Sequence, residues 1–289
     1  MLHFIYNPIA GKGRSRRCRE ILEPLLRQSG QAHRFYQTQG RSDATRLVRE
    51  LTRQDGQNVI AMGGDGTLNE VLNGIVDPAT ARLGIIPCGS GNDFAAVAGI
   101  PDAPEEALEL VLRGEAKCTD YLECGGVRGI NVIGTGIDVD ILRRYSRMKL
   151  LRGYPAYLAS LVLTLLSFRA YSFREMLDGA PREHRAFIAC AGNGQCIGGG
   201  IPVCPKAAID DGLMDIVIVD DIRRTGIPAA FVKLMKRRIL ELPTTTFRRD
   251  SRLCIQSDRP MPIQIDGEIH EELPFDVRVI SGKLRIYRP

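Results

Sequence analysis

The chain has 289 residues, of which 44 per cent are hydrophobic and 25 per cent charged, so it can bury a core and is not a disordered protein. Thirty-nine basic against 34 acidic residues give a net charge of +5, a weaker excess than a dedicated nucleic-acid-binding protein shows. We therefore expect no nucleic-acid partner. Nucleotides, phosphates and an anionic membrane surface are compatible with this charge.

The first 120 residues alternate strand-like and helix-like segments. Strands are predicted at 2–6, 33–38, 58–62 and 83–87, and helices at about 15–28, 42–54 and 104–113. Gly30, Gly56 and Gly114 follow these helices, as glycine often does where a helix ends. The alternation predicts a parallel sheet covered by helices on both faces, with ligands bound at the carboxyl ends of the strands.

After about residue 120 the pattern changes. We predict a hairpin around Gly125-Gly126, a helical region over about 140–168, one helix near 226–241 and several further strands. Hairpin turns dominate, which favours a second, mainly antiparallel β domain. The expected domains are 1–120 and 121–289, and the last strand could return to the first domain.

The length of the apolar stretches and the spacing of the cysteines favour a cytoplasmic protein. The longest apolar stretch, 154–168, is shorter than the roughly 20 residues that span a bilayer, so any membrane contact is expected to be peripheral. The start of the chain has no basic leader followed by a long apolar region. None of the eight cysteines is spaced C-x-x-C, which favours reduced thiols over a zinc site.

The segment VIAMGGDGTLNEVLNG (59–74) predicts a buried strand, a glycine turn and a helix. Glycines at 63, 64 and 66 allow close backbone approach, and the amino end of a helix suits a phosphate. Thr67 and Glu70 have the spacing of a capping box. A tight turn without a ligand is the alternative. Asp65 favours a cation with the phosphate, because a carboxylate repels a phosphate unless a metal bridges them.

Two further loops have a similar form. LGIIPCGSGNDFA (83–95) is a strand, a glycine-rich turn and a helix opened by Asn92-Asp93, and NPIAGKG follows the first strand. The latter lacks the P-loop spacing, so each loop is a weak signal by itself. Three such loops on one edge of one sheet nevertheless predict a site for nucleotide phosphates and magnesium.

The motifs NPIAGKG, GGDGTLNEV and PCGSGNDFA, with GGGIPVCPKAAIDDGLMDIVIV (198–219) and IQIDGEI (263–269), resemble the soluble diacylglycerol kinase family. This family includes bacterial lipid kinases and the sphingosine and ceramide kinases. The resemblance implies a phosphofructokinase/NAD-kinase-like α/β domain, a C-terminal antiparallel β-sandwich-like domain and an active site between them. It also implies transfer of the γ-phosphoryl group of ATP to a lipid hydroxyl, with diacylglycerol as the first candidate and phosphatidic acid as its product.

The resemblance also implies roles for individual residues. The residues implied to bind the nucleotide are Asn7, Pro8, Ile9, Ala10, Gly11, Thr38, Gly63, Gly64, Asp65, Gly66, Thr67, Leu68, Asn69, Glu70, Ser90 and Asn92. Those implied to bind magnesium are Asp65 and Asp93, with a structural site at Ala208, Asp211 and Leu213. Asp65, Asp266 and Glu268 are the implied catalytic residues, and we favour Glu268 as the base. At Ala10 the family often has a serine, so one hydroxyl contact to phosphate is absent here.

Several alternatives stay open. The chain could be a NAD kinase-like phosphotransferase, or a nucleotide- or lipid-binding module without activity. The Asp-Gly-Glu motif is also an ordinary hairpin turn, and Asp210, Asp211 and Asp215 could be merely solvated. A homodimer is possible in this family. Basic runs at 143–152 and 236–238 could contact anionic headgroups, and one face of the apolar helix could line an acyl-chain cleft (Tyr154, Tyr157, Leu158, Leu161 and Leu165).

Overall fold

The computed structural model describes residues 1–147, 154–177 and 180–289. The chain divides into two compact units. The first unit consists of Met1–Tyr121, Ile209–Gly212 and Ile280–Pro289, and the second of Leu122–Ala208 and Leu213–Val279. The second unit therefore contains most of the chain after residue 121, and two short later segments belong to the first unit.

Strands and helices alternate through the first unit. They are β1 (Leu2–Tyr6), α1 (Ala10–Gln28), β2 (His33–Gln37), α2 (Asp43–Leu51), β3 (Asn58–Gly63), α3 (Asp65–Gly74), β4 (Arg82–Pro87), α4 (Asp93–Val97), α5 (Pro104–Arg113) and β5 (Ala116–Cys124), whose last residues enter the second unit. The order β2-β1-β3-β4 is parallel throughout, and the end of the last strand of the chain pairs with β4. The predicted α/β class is confirmed for this part.

The strand register explains where a ligand can bind in the first unit. Tyr6 lies opposite both Gln37 and Met62, and Gly63 lies opposite Pro87. The carboxyl ends of the four parallel strands are thus aligned at one edge. Buried apolar side chains such as Phe4, Ile60 and Ile86 fill the sheet interior, so this edge is held by a packed core.

The second unit is mainly antiparallel β, as predicted. Its elements are β6 (Val127–Gly129), β7 (Val132–Gly136), α6 (Ile137–Arg147), α7 (Tyr154–Ser167), β8 (Tyr171–Met176), β9 (Arg182–Gly192), β10 (Met214–Asp220), α8 (Ile227–Met235), β11 (Thr245–Asp250), β12 (Arg252–Gln256), β13 (Ile263–Ile265), β14 (Glu268–His270) and β15 (Phe275–Tyr287), which ends in the first unit. The strand order is β14-β13-β7-β9-β8-β12-β15, and β10 pairs with β9 and β11.

Two helical predictions differ from the structure. The predicted helix at 226–241 is interrupted, because Arg237 has a left-handed φ of 61° just after α8 and a separate 3-10 turn follows at Ile239–Glu241. Such a left-handed residue commonly ends a helix. The predicted region 140–168 forms two helices, α6 and α7, and residues 148–153 lie outside the described part. So do the side chains of Tyr154, Tyr157, Leu158 and Leu161.

Candidate functional site

The loops that follow the parallel strands form the edge predicted to bind a nucleotide. Asn7 follows β1, and its side-chain carbonyl accepts the N–H of Ile9 at 3.2 Å. Thr38 follows β2, is buried, and donates its backbone N–H to the carbonyl of Tyr6 at 3.0 Å. Gly64 and Cys88 follow β3 and β4. Residues of all four loops therefore lie along one edge, and their contact with a nucleotide stays a prediction.

Glycine backbones pack directly against each other in these loops. A Cβ placed on Gly64 would lie 2.9 Å from the Cα of Gly89, and one on Gly11 would lie 2.0 Å from the carbonyl oxygen of Cys88. Gly11 also has a left-handed φ of 57°. Only glycine fits such close approaches, so the surface at these points is backbone. A surface of this kind admits phosphate oxygens closely.

The capping box predicted at Thr67 and Glu70 is wrong. Helix α3 begins at Asp65, its N-cap is the extended Gly64, and no side chain caps its first turn. The Glu70 carboxylate instead accepts the N–H of Ser42 at 3.0 Å and that of Ala44 at 3.2 Å, at the start of α2. Spacing alone could not show that another helix start lies within reach of Glu70. The uncapped amino end of α3 can therefore face an anion.

Asp65 lies close to the start of α4. One of its carboxylate oxygens accepts the N–H of Phe94 at 3.3 Å, and the neighbouring Asp93 is buried. The described residues contain no group of three or more His, Cys, Asp or Glu side chains that could hold a metal. Magnesium commonly takes one or two carboxylates and completes its shell with waters and substrate phosphates. Asp65 and Asp93 fit that pattern.

Two residues that sequence reasoning missed connect the first and third glycine loops. Asn92 accepts the N–H of Gly89 at 2.9 Å and donates to a carboxylate oxygen of Asp102 at 3.4 Å. The other Asp102 oxygen pairs with Arg14 at 2.7 Å, and this hydrogen bond raises the pKa of Arg14. Arg14 and Asp102 are 88 residues apart, and neither belongs to a motif. No local signal could have found this pair.

Asp266 and Glu268 lie in the second unit, around the hairpin turn between β13 and β14. Asp266 and Gly267 both have left-handed φ, 48° and 90°, so the ordinary turn considered above is present. The Asp266 carboxylate accepts three backbone N–H groups, from Ile130 at 2.7 Å, Asn131 at 2.9 Å and Val132 at 3.1 Å. These bonds fix the chain just before and at the start of β7. Glu268 is half-buried and lies opposite Ile265.

The segment around Asp211 is anchored by a buried carboxylate that sequence reasoning did not select. Asp120, which is 1 per cent exposed, accepts the N–H of Gly212 at 2.7 Å and that of Gly282 at 2.6 Å. Asp211 is exposed, and the magnesium site predicted at Ala208, Asp211 and Leu213 stays a prediction.

The idea that the neighbouring aspartates are merely solvated is wrong for two of them. Asp210 forms an ion pair with Arg288 at 2.6 Å. Asp215 is buried and forms an ion pair with Arg249 at 2.9 Å. Both carboxylates are therefore held by arginines distant in sequence.

Family comparisons agree with this arrangement. Residues 1–124 match the model of the diacylglycerol kinase catalytic domain, and residues 131–288 match that of the YegS C-terminal NAD kinase beta sandwich-like domain. The chain belongs to the diacylglycerol kinase and YegS lipid kinase family. The predicted two-domain class, α/β followed by a β-sandwich-like domain, is thereby confirmed.

Individual relatives cover almost the whole chain. A Chromohalobacter salexigens protein named "Probable lipid kinase YegS-like" is 31% identical over 96% of this chain and 91% of its own length. A diacylglycerol kinase of Staphylococcus aureus is 26% identical over 99% of this chain and 91% of its own. A crystal structure from Bacillus anthracis superposes with a TM-score of 0.82 at 25% identity, covering 100% of this chain and 95% of that chain.

The second unit also has an apolar cavity of about 100 Å³ that is partly open to its surroundings. It is lined by α6, the end of α7, α8 and the neighbouring strands, with Ile141, Leu165, Phe187 and Phe231 among its walls. Asp138 is the ionisable carboxyl group at this cavity, and its burial raises its pKa to about 7. Among the described residues, no helix is both long and apolar enough to cross a membrane.

Proposed function

We propose that this chain is an ATP-dependent lipid kinase that transfers the γ-phosphoryl group to a lipid hydroxyl, with diacylglycerol as the first candidate substrate and phosphatidic acid as its product. The observation that carries the proposal is the edge of the first unit, where backbone-lined glycine loops surround the amino end of α3 and Asp65. Backbone N–H groups at a helix start bind phosphates. Relatives named as lipid kinases and diacylglycerol kinases support the lipid as acceptor.

We assign the nucleotide phosphates to the loops at residues 7–11, 63–70 and 89–92, with Thr38 beside them. Phosphoryl transfer depends mainly on positioning and on offsetting negative charge. Magnesium, held by Asp65 and Asp93 together with the phosphates, would offset that charge. The uncapped α3 start supplies further positive potential from the helix dipole.

We assign Glu268 as the base that accepts the proton of the lipid hydroxyl, and Asp266 as a positioning residue. The three backbone bonds to Asp266 support this division, because they engage both of its oxygens and hold the turn that carries Glu268. This assignment decides between the two carboxylates that the sequence left open.

We assign the apolar cavity of the second unit to part of the lipid chain. The cavity is partly open, and almost all of the surface that it offers is apolar, which is typical of a site for a hydrophobic ligand. Apolar walls of this kind can accept the hydrocarbon groups of a lipid. Peripheral contact with the inner face of the membrane, a cytoplasmic location and a possible homodimer belong to the proposal as well.

The test is transfer of labelled γ-phosphate from ATP, with magnesium, to micellar diacylglycerol and to a panel of other lipid alcohols, with NAD as a parallel acceptor. We expect labelled lipid with the wild type. Glu268→Gln should lower the rate about 100- to 10,000-fold, the usual contribution of a general base, without changing ATP affinity. Glu272→Gln, an exposed glutamate four residues away, is the matched control and should keep full activity.

The other outcomes would each contradict part of the proposal. Label on NAD in place of lipid would identify a NAD kinase-like phosphotransferase. ATP binding without transfer to any acceptor would indicate a binding module. Equal rates for Glu268→Gln and Glu272→Gln would remove Glu268 as the base while leaving the lipid kinase assignment intact.

A further inference from the structure

Gln264 is a buried amide in the middle of β13, between Ile263 and Ile265 of the apolar core of the second unit. It is 1 per cent exposed. Successive side chains of a strand point to opposite faces, so Gln264 points away from that core. Burying an amide destabilises a protein unless both of its ends are hydrogen-bonded, so the partners of Gln264 indicate what it holds.

One end of Gln264 holds the turn that carries the proposed base. Its Oε1 accepts the backbone N–H of Gly267 at 2.8 Å. Gly267 has a left-handed φ of 90° and directly precedes Glu268. This bond therefore helps to set where Glu268 leaves the turn, in addition to the bonds that Asp266 makes to residues 130–132.

The other end of Gln264 reaches the wall of the apolar cavity. Its Nε2 donates to the carbonyl of Val132 at 3.4 Å, and its side chain also forms a hydrogen bond with the buried carboxyl group of Asp138. A Cβ on Gly134 would lie 2.5 Å from Asp138 Oδ2 and 3.2 Å from Gln264 Nε2, so both side chains use the space over this glycine. Since Asp138 lines the cavity, Gln264 connects the cavity wall to the turn.

These partners allow one orientation of the amide. The carbonyl of Val132 only accepts hydrogen bonds and the N–H of Gly267 only donates one, so Nε2 faces the strand and Oε1 faces the turn. An ionised Asp138 also only accepts, which favours the same orientation. Gln264 is thus fixed at both ends by hydrogen bonds, which is what a residue that supports a reacting group requires.

We propose that Gln264 is a positioning residue, which holds the turn through Gly267 so that the Glu268 carboxylate meets the lipid hydroxyl, and that Asp138 orients Gln264. The inference rests on the proposed function and adds to it two residues to which no role was assigned above. Misplacing a reacting group by about 1 Å can lower a rate by about 100-fold, so such support affects kcat.

The experiment compares Gln264→Met with Thr135→Val. Methionine keeps the length of the side chain and removes both of its polar ends. Thr135→Val removes another buried hydrogen bond, from the hydroxyl of Thr135 in β7 to the carbonyl of Pro262 just before β13 at 2.8 Å, and leaves the turn unchanged. Both variants should have a lower free energy of unfolding in urea denaturation, because each loses buried hydrogen bonds.

Two measurements separate positioning from stability. Steady-state phosphate transfer to micellar diacylglycerol gives kcat and the KM values for ATP and lipid, and hydrogen–deuterium exchange of the Gly267 amide reports on the turn without any activity. Gln264→Met should lower kcat by up to about 100-fold, leave the KM for ATP unchanged and speed exchange at Gly267. Thr135→Val should keep the wild-type kcat and exchange.

Asp138→Asn tests whether Asp138 acts through Gln264. Asparagine can donate as well as accept, so it no longer orients the amide. Asp138→Asn alone should lower kcat less than Gln264→Met does, and adding it to Gln264→Met should lower kcat no further. A further loss in the double variant would show that Asp138 acts independently and would remove it from the inference.

The remaining outcomes distinguish this inference from the proposed function. Equal losses of kcat in Gln264→Met and Thr135→Val, or a wild-type kcat in Gln264→Met beside an impaired Glu268→Gln, would overturn the inference and leave the lipid kinase intact. A wild type that phosphorylates no lipid would overturn the proposed function. Exchange at Gly267 would then still decide whether Gln264 holds the turn, since an unchanged rate in Gln264→Met would contradict it.

Discussion

Asp65 and Asp266 stand next to glycines in tight turns, yet the two regions use the carboxylate differently. Asp65 accepts one backbone N–H, at 3.3 Å, from the residues that the structure describes. Asp266 accepts at least three, at 2.7 to 3.1 Å. A carboxylate can accept about four hydrogen bonds. Asp65 therefore keeps most of its lone pairs available for an external cation, whereas backbone N–H groups occupy most of those of Asp266. The number of protein donors, not the motif, separates a candidate catalytic carboxylate from a structural one.

The largest expected effect on stability comes from Asp266→Asn. An asparagine presents one acceptor oxygen and one NH₂ group, so at least one of the three backbone N–H groups at 130–132 would lose its partner and the others would lose a charged one. We expect the free energy of unfolding to fall by about 3 kcal/mol, measured by urea denaturation. The fold of the second unit should persist, because its apolar core does not include this turn.

Asp65→Asn is the matched change in the other region. Asp65→Asn would weaken only one long backbone hydrogen bond, so the free energy of unfolding of the variant should change by less than about 1 kcal/mol. Its rate of phosphoryl transfer should fall about 1000-fold. If Asp65→Asn proved as destabilising as Asp266→Asn, the contrast between a ligand-facing and a structural carboxylate would be wrong.

A smaller effect is expected at the glycines beside Asp65. In Gly64→Ala the new methyl group would lie 2.9 Å from the Cα of Gly89, and backbone cannot move aside as a side chain can. We expect a loss of about 2 kcal/mol in the free energy of unfolding, with weaker ATP binding. Gly66→Ala is the control, because its methyl group meets no atom within 4 Å and alanine favours the helix. Equal destabilisation by both changes would show that contact between the loops is not the cause.

Local patterns were enough to predict the alternation of strands and helices, the three glycine loops and their common edge. Each depends on residues a few positions apart. The partners of the site carboxylates could not be predicted in this way. Asp266 bonds to residues about 135 positions earlier, and Glu70 caps a helix 26 to 28 positions before it. Such pairs arise from the packing of elements, which a single sequence does not record.

The smallest expected effect on stability involves a third carboxylate, Glu175. Like that of Asp266, its carboxylate accepts hydrogen bonds from several donors within the protein. His184 donates to it at 3.2 Å and Arg248 at 2.9 Å, while the other nitrogen of the buried His184 faces Asp220 at 3.0 Å. Burial opposes ionisation of Glu175, but the bonds from His184 and Arg248 keep its pKa below the usual value. The hydrogen bond to Glu175 raises the pKa of His184.

These shifts fix the sign of the pH dependence. Protonated His184 contributes stability fully below about pH 6.5, its unfolded value, and this is lost as pH rises through the raised folded pKa. Ionised Glu175 contributes above about pH 4.3, and this is lost as pH falls through its lowered folded pKa. The free energy of unfolding lost in His184→Gln should therefore be larger at pH 6 than well above the folded pKa of His184. A loss in His184→Gln that did not vary with pH would mean that the folded protein holds this ring neutral.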